Sequence, residues 1–203
     1  MNLHPALLML PVLVACSDVK EDEDDHHHDH NHGVSTALTL HFTDGAGTTT
    51  SFAWEDPEGD GVDILIDDIA LTSGTAYELN VEVTNQLEDP PEDVTTEIIA
   101  HGEEHQFFFT GSAVVGPASD SAGAFLEHAY NDSDADGLPL GVDNLMTATA
   151  TGSGELTVTL RHMPPESGNA VKTASSAEDV KNGGFSAIGG DNDIQVTFVV
   201  AAN

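Results

Sequence analysis

The chain has 203 residues, of which 39% are hydrophobic, enough for one domain with a packed core. Its 36 acidic residues against 4 basic ones give a formal net charge of −32, which excludes nucleic acid, heparin-like polymers and anionic membrane surfaces as electrostatic partners and favours cations. A single cysteine excludes an internal disulfide.

Residues 7–15 form an apolar run. It is too short for the ~20 residues that span a bilayer, but it matches the hydrophobic core of a signal peptide. The run ends in Leu13-Val14-Ala15-Cys16. In this pattern the chain resembles bacterial lipoproteins, whose signal is cut before a cysteine that then receives lipid. The resemblance implies a signal peptide over residues 1–15, lipidation of Cys16 as the mature N-terminus, and contact with a membrane through that lipid anchor only.

Residues 16–33 read CSDVKEDEDDHHHDHNHG and contain no apolar periodicity. An acidic, histidine-rich, flexible and disordered arm is expected there. His26, His27, His28, Asp29, His30 and His32 set imidazoles and a carboxylate at close spacing, a donor set suited to Zn²⁺ and other borderline divalent metals. Neighbouring carboxylates stabilise imidazolium, so protons should displace metal from the arm below about pH 6. The alternatives are a solvated spacer or a purification tag, and the interruptions at Asp29 and Asn31 speak against the tag. Acidic residues soon after the lipidated cysteine also resemble surface-export signals of some Gram-negative lipoproteins.

From residue 34 to residue 203 the pattern is that of one all-β domain, an antiparallel β-sandwich of immunoglobulin-like or similar type. Leu38, Leu40 and Phe42 alternate with polar residues, and Phe52 and Trp54 follow a Gly-rich turn. Further alternating runs occur at Tyr77, Leu79, Val81 and Val83, at Leu156, Val158 and Leu160, and at Ile194, Val196, Phe198 and Val200. With Phe107-Phe108-Phe109 and residues 125–130 added, seven to nine strands are expected. Gly152-Ser153-Gly154 reads as a hairpin turn. One short helix is expected over residues 91–100, which begin with proline and acids. Residues 163–193, with paired prolines and two Gly-Gly steps, read as a long irregular stretch folding over one end of the sandwich.

Two constellations inside the domain point to cations. His105 is in phase with Phe107 and Phe109, and His162 with Leu156, Val158 and Leu160, so both should point inward at strand ends and can meet, with Glu104 or Glu103 alongside. Two structural histidines closing the core are the alternative. The spacing His101-Gly102-Glu103-Glu104-His105 is not the metalloprotease HExxH pattern. His41 and His128 read as exposed strand residues, and Arg161 as a partner of surface carboxylates. The second constellation is Asp132, Asp134, Asp136 and Gly137, the DxDxDG start of a calcium loop, with Asp143 at the twelfth position and a looser version at Asp56, Glu58, Asp60 and Gly61. Asp- and Gly-rich turns that bind nothing are the competing reading.

The lipobox, the His/Asp-rich arm, Glu104-His105-Gln106-Phe107-Phe108-Phe109, the DxDxDG turn and Thr159-Leu160-Arg161-His162 together resemble a poorly characterised group of small bacterial lipoproteins, over most of the mature chain. The likeness brings no established activity; it implies metal handling in the cell envelope of a Gram-negative bacterium, at the outer membrane or its surface. The expected function is capture of divalent transition metal, zinc foremost, for delivery to an outer-membrane importer. The competing reading is a calcium-stiffened structural or adhesive module. No nucleophile motif, P-loop or dinucleotide fingerprint is present, so no enzyme is expected.

Overall fold

A computed structural model describes residues 35–169 and 171–203. The expected leader, Cys16 and the histidine arm lie outside the described residues. The domain begins with β1 (Ala37–Asp44) and β2 (Thr49–Glu55), joined by a tight turn in which Gly47 has φ +82° and Asp44 Oδ1 accepts the Ala46 and Thr48 amides. A hairpin follows from β2 into β3 (Leu65–Ile66), then β4 (Ile69–Leu71) and the long β5 (Thr75–Asn85). After β6 (Glu92–Asp93) comes the expected helix, α1 (Val94–Ala100). Asp93 caps it by accepting the Thr96 amide and hydroxyl, and Val94 and Ile98 bury one face.

A single 3-10 turn, Gly102–Glu104, delivers the chain into β7 (His105–Thr110), and β8 (Val114–Gly116), β9 (Ser119–Asp120), β10 (Leu126–Tyr130) and β11 (Asp143–Ala148) follow. The chain then crosses to β12 (Gly152–His162), passes through α2 (Ser176–Gly183) and ends in β13 (Asp191–Ala202).

Two sheets result, one in the order β3-β2-β1-β5-β11-β10-β8-β9 with β6 also on β5, the other in the order β4-β13-β12-β7. The all-β, sandwich-like reading therefore holds, with two short parallel pairings, β8 with β10 and β4 with β13, within an otherwise antiparallel pattern. The alternating residues read from the sequence make the core: Leu38, Leu40 and Phe42 from β1 face Leu156, Val158 and Leu160 from β12 and the Ile194–Val200 positions of β13 within one buried cluster. At roughly 25 cal/mol per Å² of apolar surface removed from water, this cluster is the dominant stabilising element.

Three expectations need correction. Gly152 and Gly154 are not a turn; they lie inside β12, because β11 and β12 belong to different sheets. A Cβ on Gly152 would stand 2.5 Å from the Phe125 ring, so these glycines let the strand pass close to its neighbours. The stretch after β12 is not wholly irregular, since α2 sits within it, with Glu178 and Asp179 in its first turn and Lys181 in its last. Nor does all of that stretch cap an end: Met163, Ala177 and Val180 cover Phe108, the outward residue of β7, in a second small core.

Candidate metal centre

His105 opens β7 and His162 closes β12, and the register of the two strands sets them directly opposite one another. Residues paired in this way project to the same face. The rings stack with centroids 4.8 Å apart and planes 9° off parallel. His105 is fully buried, and its Nδ1 donates to the His101 carbonyl at 2.8 Å, an arrangement that in the neutral ring leaves the lone pair on Nε2.

The carboxylate that joins the two histidines is Asp193, a residue the sequence pattern did not single out. Strand alternation would place it outward, between Ile194 and the chain before it. The ladder between β12 and β13 shifts by one residue, pairing Leu160 with Ile194 but Arg161 with Asn192, and Asp193 is the extra residue. A bulge of this kind re-aims a side chain. Its Oδ2 lies 3.8 Å from His105 Nε2. One ligand atom each from His105, His162 and Asp193 fall within 4.8 Å of one another, and this group could hold a metal ion. Exposure rises from the buried His105 through His162 to Asp193, whose side chain keeps 28% of its surface open, so the group is reached from solvent through the carboxylate.

With no two of the three atoms more than 4.8 Å apart, a cation among them would sit at most about 2.8 Å from each, against about 2.0–2.2 Å in a zinc site, so binding would draw each donor in by no more than about 0.7 Å. Small side-chain rotations of His162 and Asp193 suffice for that. Glu104, expected as the carboxylate of this site, instead lies beside it: Oε2 is buried, accepts no hydrogen bond among the described residues, and stands 3.5 Å from His162 Nε2.

The backbone around His105 is tied at several points. Besides the His101 carbonyl, the Glu104 carbonyl accepts from Met163 N at 2.6 Å, and the Gly102 and His105 carbonyls both accept from Lys172 Nζ, at 2.7 and 2.8 Å. The Lys172 side chain is fully buried and completes its donors on Asp134 Oδ2 at 2.6 Å. Burial pushes the Lys172 pKa down, and the Asp134 carboxylate opposes that.

This arrangement corrects the calcium expectation for residues 132–143. Asp132 accepts the amides of Gly141, Val142 and Asp143, and Asp134 accepts those of Asp136 and Leu138 in addition to Lys172. Asp143 accepts from the Asn80 amide, and Asp136 stays exposed. The oxygens are spent on N–H donors, and the four carboxylates are not gathered into a ligand group.

His128 is also corrected. It is 3% exposed, packed between Phe109, whose ring is tilted to it, and Tyr130, which meets it edge-on, with Nε2 bonded to Asn144 Oδ1 at 3.0 Å. Burial drives its pKa down to about 4, with Asn144 opposing. Tyr130, in phase with it, donates to the Phe107 carbonyl, and burial pushes its phenol up. His41 matches its reading as a surface residue, bridging Ser51 and Glu82. Among the described residues Arg161 pairs with no surface carboxylate; it donates to the Gly189 carbonyl and Asn192 Oδ1 and lies over the Phe185 ring.

The histidines and Asp29 of the arm lie outside the described residues; among the described residues the candidate centre consists of His105, His162 and Asp193 with Glu104 adjoining. No protein-family model, curated protein or solved structure matches this chain.

Proposed function

We propose that this chain is a lipid-anchored cell-envelope protein that captures a divalent transition metal, zinc foremost, and passes it to an envelope importer. The observation that carries the reading is the stacked pair His105 and His162 with Asp193 brought to them by the strand bulge. Two imidazoles and one carboxylate form the donor set of an open zinc site, with a fourth position for water or another ligand. Glu104, with its buried oxygen near His162, is placed to orient that ring or to enter the coordination sphere.

In this reading Cys16 carries the lipid, and the arm from His26 to His32 collects metal at low affinity while the folded centre holds it at higher affinity. The net charge of −32 raises the local concentration of divalent cations around both. The likeness to small His-rich bacterial lipoproteins belongs to the same proposal, as does the place at the outer membrane of a Gram-negative cell.

Calorimetric titration of the mature chain with ZnCl₂ tests the proposal. A tight site that disappears in His105→Ala/His162→Ala, and weaker sites that disappear on deletion of residues 18–32, are expected. Zinc binding that survives both changes, or a wild-type chain that takes up no zinc at micromolar concentration, would overturn it.

A further inference from the structure

The chain holds two acidic loops of similar sequence, and their oxygens have opposite fates. In the loop around Asp132 and Asp134 every buried carboxylate oxygen meets an N–H donor. In the loop between β2 and β3 this is not so. Asp56 is only 7% exposed, held by its own amide on the Thr36 carbonyl at 2.7 Å. Its Oδ2 accepts from Gly61 N at 2.9 Å, but its Oδ1 is buried and accepts nothing among the described residues. Leaving a buried carboxylate oxygen without a partner is costly, more so than for a neutral group.

We propose that residues 56–63 form a calcium site, with Asp56 Oδ1 as its anchoring ligand and the carboxylates of Glu58, Asp60 and Asp63 closing around the ion. The proposal is independent of the transition-metal centre. Asp56, Glu58 and Asp60 stand at first, third and fifth positions, with Gly61 at the sixth turning the chain at φ +74°. The bond from Gly61 N to Asp56 Oδ2 ties this carboxylate to the glycine that turns the loop, while its second oxygen stays buried without a donor among the described residues. Glu58, Asp60 and Asp63 are exposed, and none of the ion pairs among the described residues gives them a lysine or arginine.

The donors are all oxygens, which selects a hard cation, and a loop this pliable suits calcium better than the strict octahedron of magnesium. These carboxylates do not come together as a group within 4.8 Å, as mutual repulsion dictates. Calcium–oxygen distances of about 2.3–2.6 Å leave ligands on opposite sides of the ion up to about 5 Å apart, so a modest closure completes the shell.

The test is thermal unfolding of the mature chain in chelator and in 5 mM CaCl₂. Wild type should gain about 3–5 °C from calcium at the millimolar affinity usual for extracellular modules. Glu58→Gln/Asp60→Asn keeps neutral oxygen acceptors and should fold with an unchanged midpoint in chelator while losing the calcium gain. Asp136→Asn, in the other acidic loop, should keep it. An absent gain in wild type, or an equal gain in all three proteins from calcium scattered over the acidic surface, would overturn the proposal. Zinc titration of Glu58→Gln/Asp60→Asn should match wild type whichever result is found, which separates this site from the histidine centre.

Discussion

Lys172 Nζ lies 2.6 Å from Asp134 Oδ2 with both side chains fully buried, so a sequence that spells a calcium loop is neutralised from within by the chain's own ammonium. The same nitrogen holds the carbonyls of Gly102 and His105, which makes the pair a strut beneath the first histidine of the candidate metal centre.

Removing one partner of such a pair strands a buried charge, which typically costs about 3–5 kcal/mol. Lys172→Met is therefore expected to lose about that much in urea unfolding. Lys172→Met/Asp134→Leu should recover part of it, because no lone charge is left. A single variant within 1 kcal/mol of wild type would show that the pair is not the strut described here.

His128 makes stability depend on pH. Its folded pKa is depressed from 6.5 to about 4 by burial, so the unfolded chain binds the proton more readily than the folded one. The stabilising contribution is complete above pH 6.5 and is lost as pH falls toward 4, by up to about 3 kcal/mol. His128→Gln should be less stable than wild type at pH 7, for want of ring packing, and the gap should narrow by pH 4. Denaturant midpoints at the two pH values decide the matter; a constant gap would refute it.

The passage of β12 past Phe125 sets a steric limit. Gly152→Ala puts a methyl 2.5 Å from that ring and should cost about 1–3 kcal/mol by overpacking. Gly45→Ala meets nothing within 4 Å and should stay within about 0.5 kcal/mol of wild type. Equal effects of the two changes would contradict the packing described.

Asp193→Asn keeps the size of the third ligand and removes its charge. A loss of zinc affinity of at least about tenfold is expected in calorimetry, with the unfolding midpoint in chelator unchanged. Unaltered affinity would leave the two histidines without their carboxylate partner.

The sandwich was legible because its core residues obey a strict period of two: Leu38, Leu40 and Phe42, or Ile194, Val196 and Phe198, announce their own face. The meeting of His105 and His162 was legible for the same reason, both being in phase with buried neighbours at strand ends. Asp193 was not, because a bulge breaks the very alternation on which the reading depends. Lys172 was hidden because a lysine's destination depends on contacts 38 and 70 residues away, which no local pattern encodes. His128 follows Leu126 in phase, and its Leu-Glu-His-Ala-Tyr strand could have been read as inward-facing; histidine's usual polarity argued otherwise. The second helix carried its acidic first turn in plain view, but neighbouring glycines masked it.

The one-residue slip in β13 also means that the third donor owes its position to an insertion and not to a particular strand face. Excising Asn192 would bring the two strands back into even step and swing the aspartate across to the opposite side. The domain would then remain a sandwich with a pair of facing imidazoles, and the acid left on their side would be Asp191, which already stands across the ladder from His162, so a single link of chain decides which of two aspartates accompanies the pair.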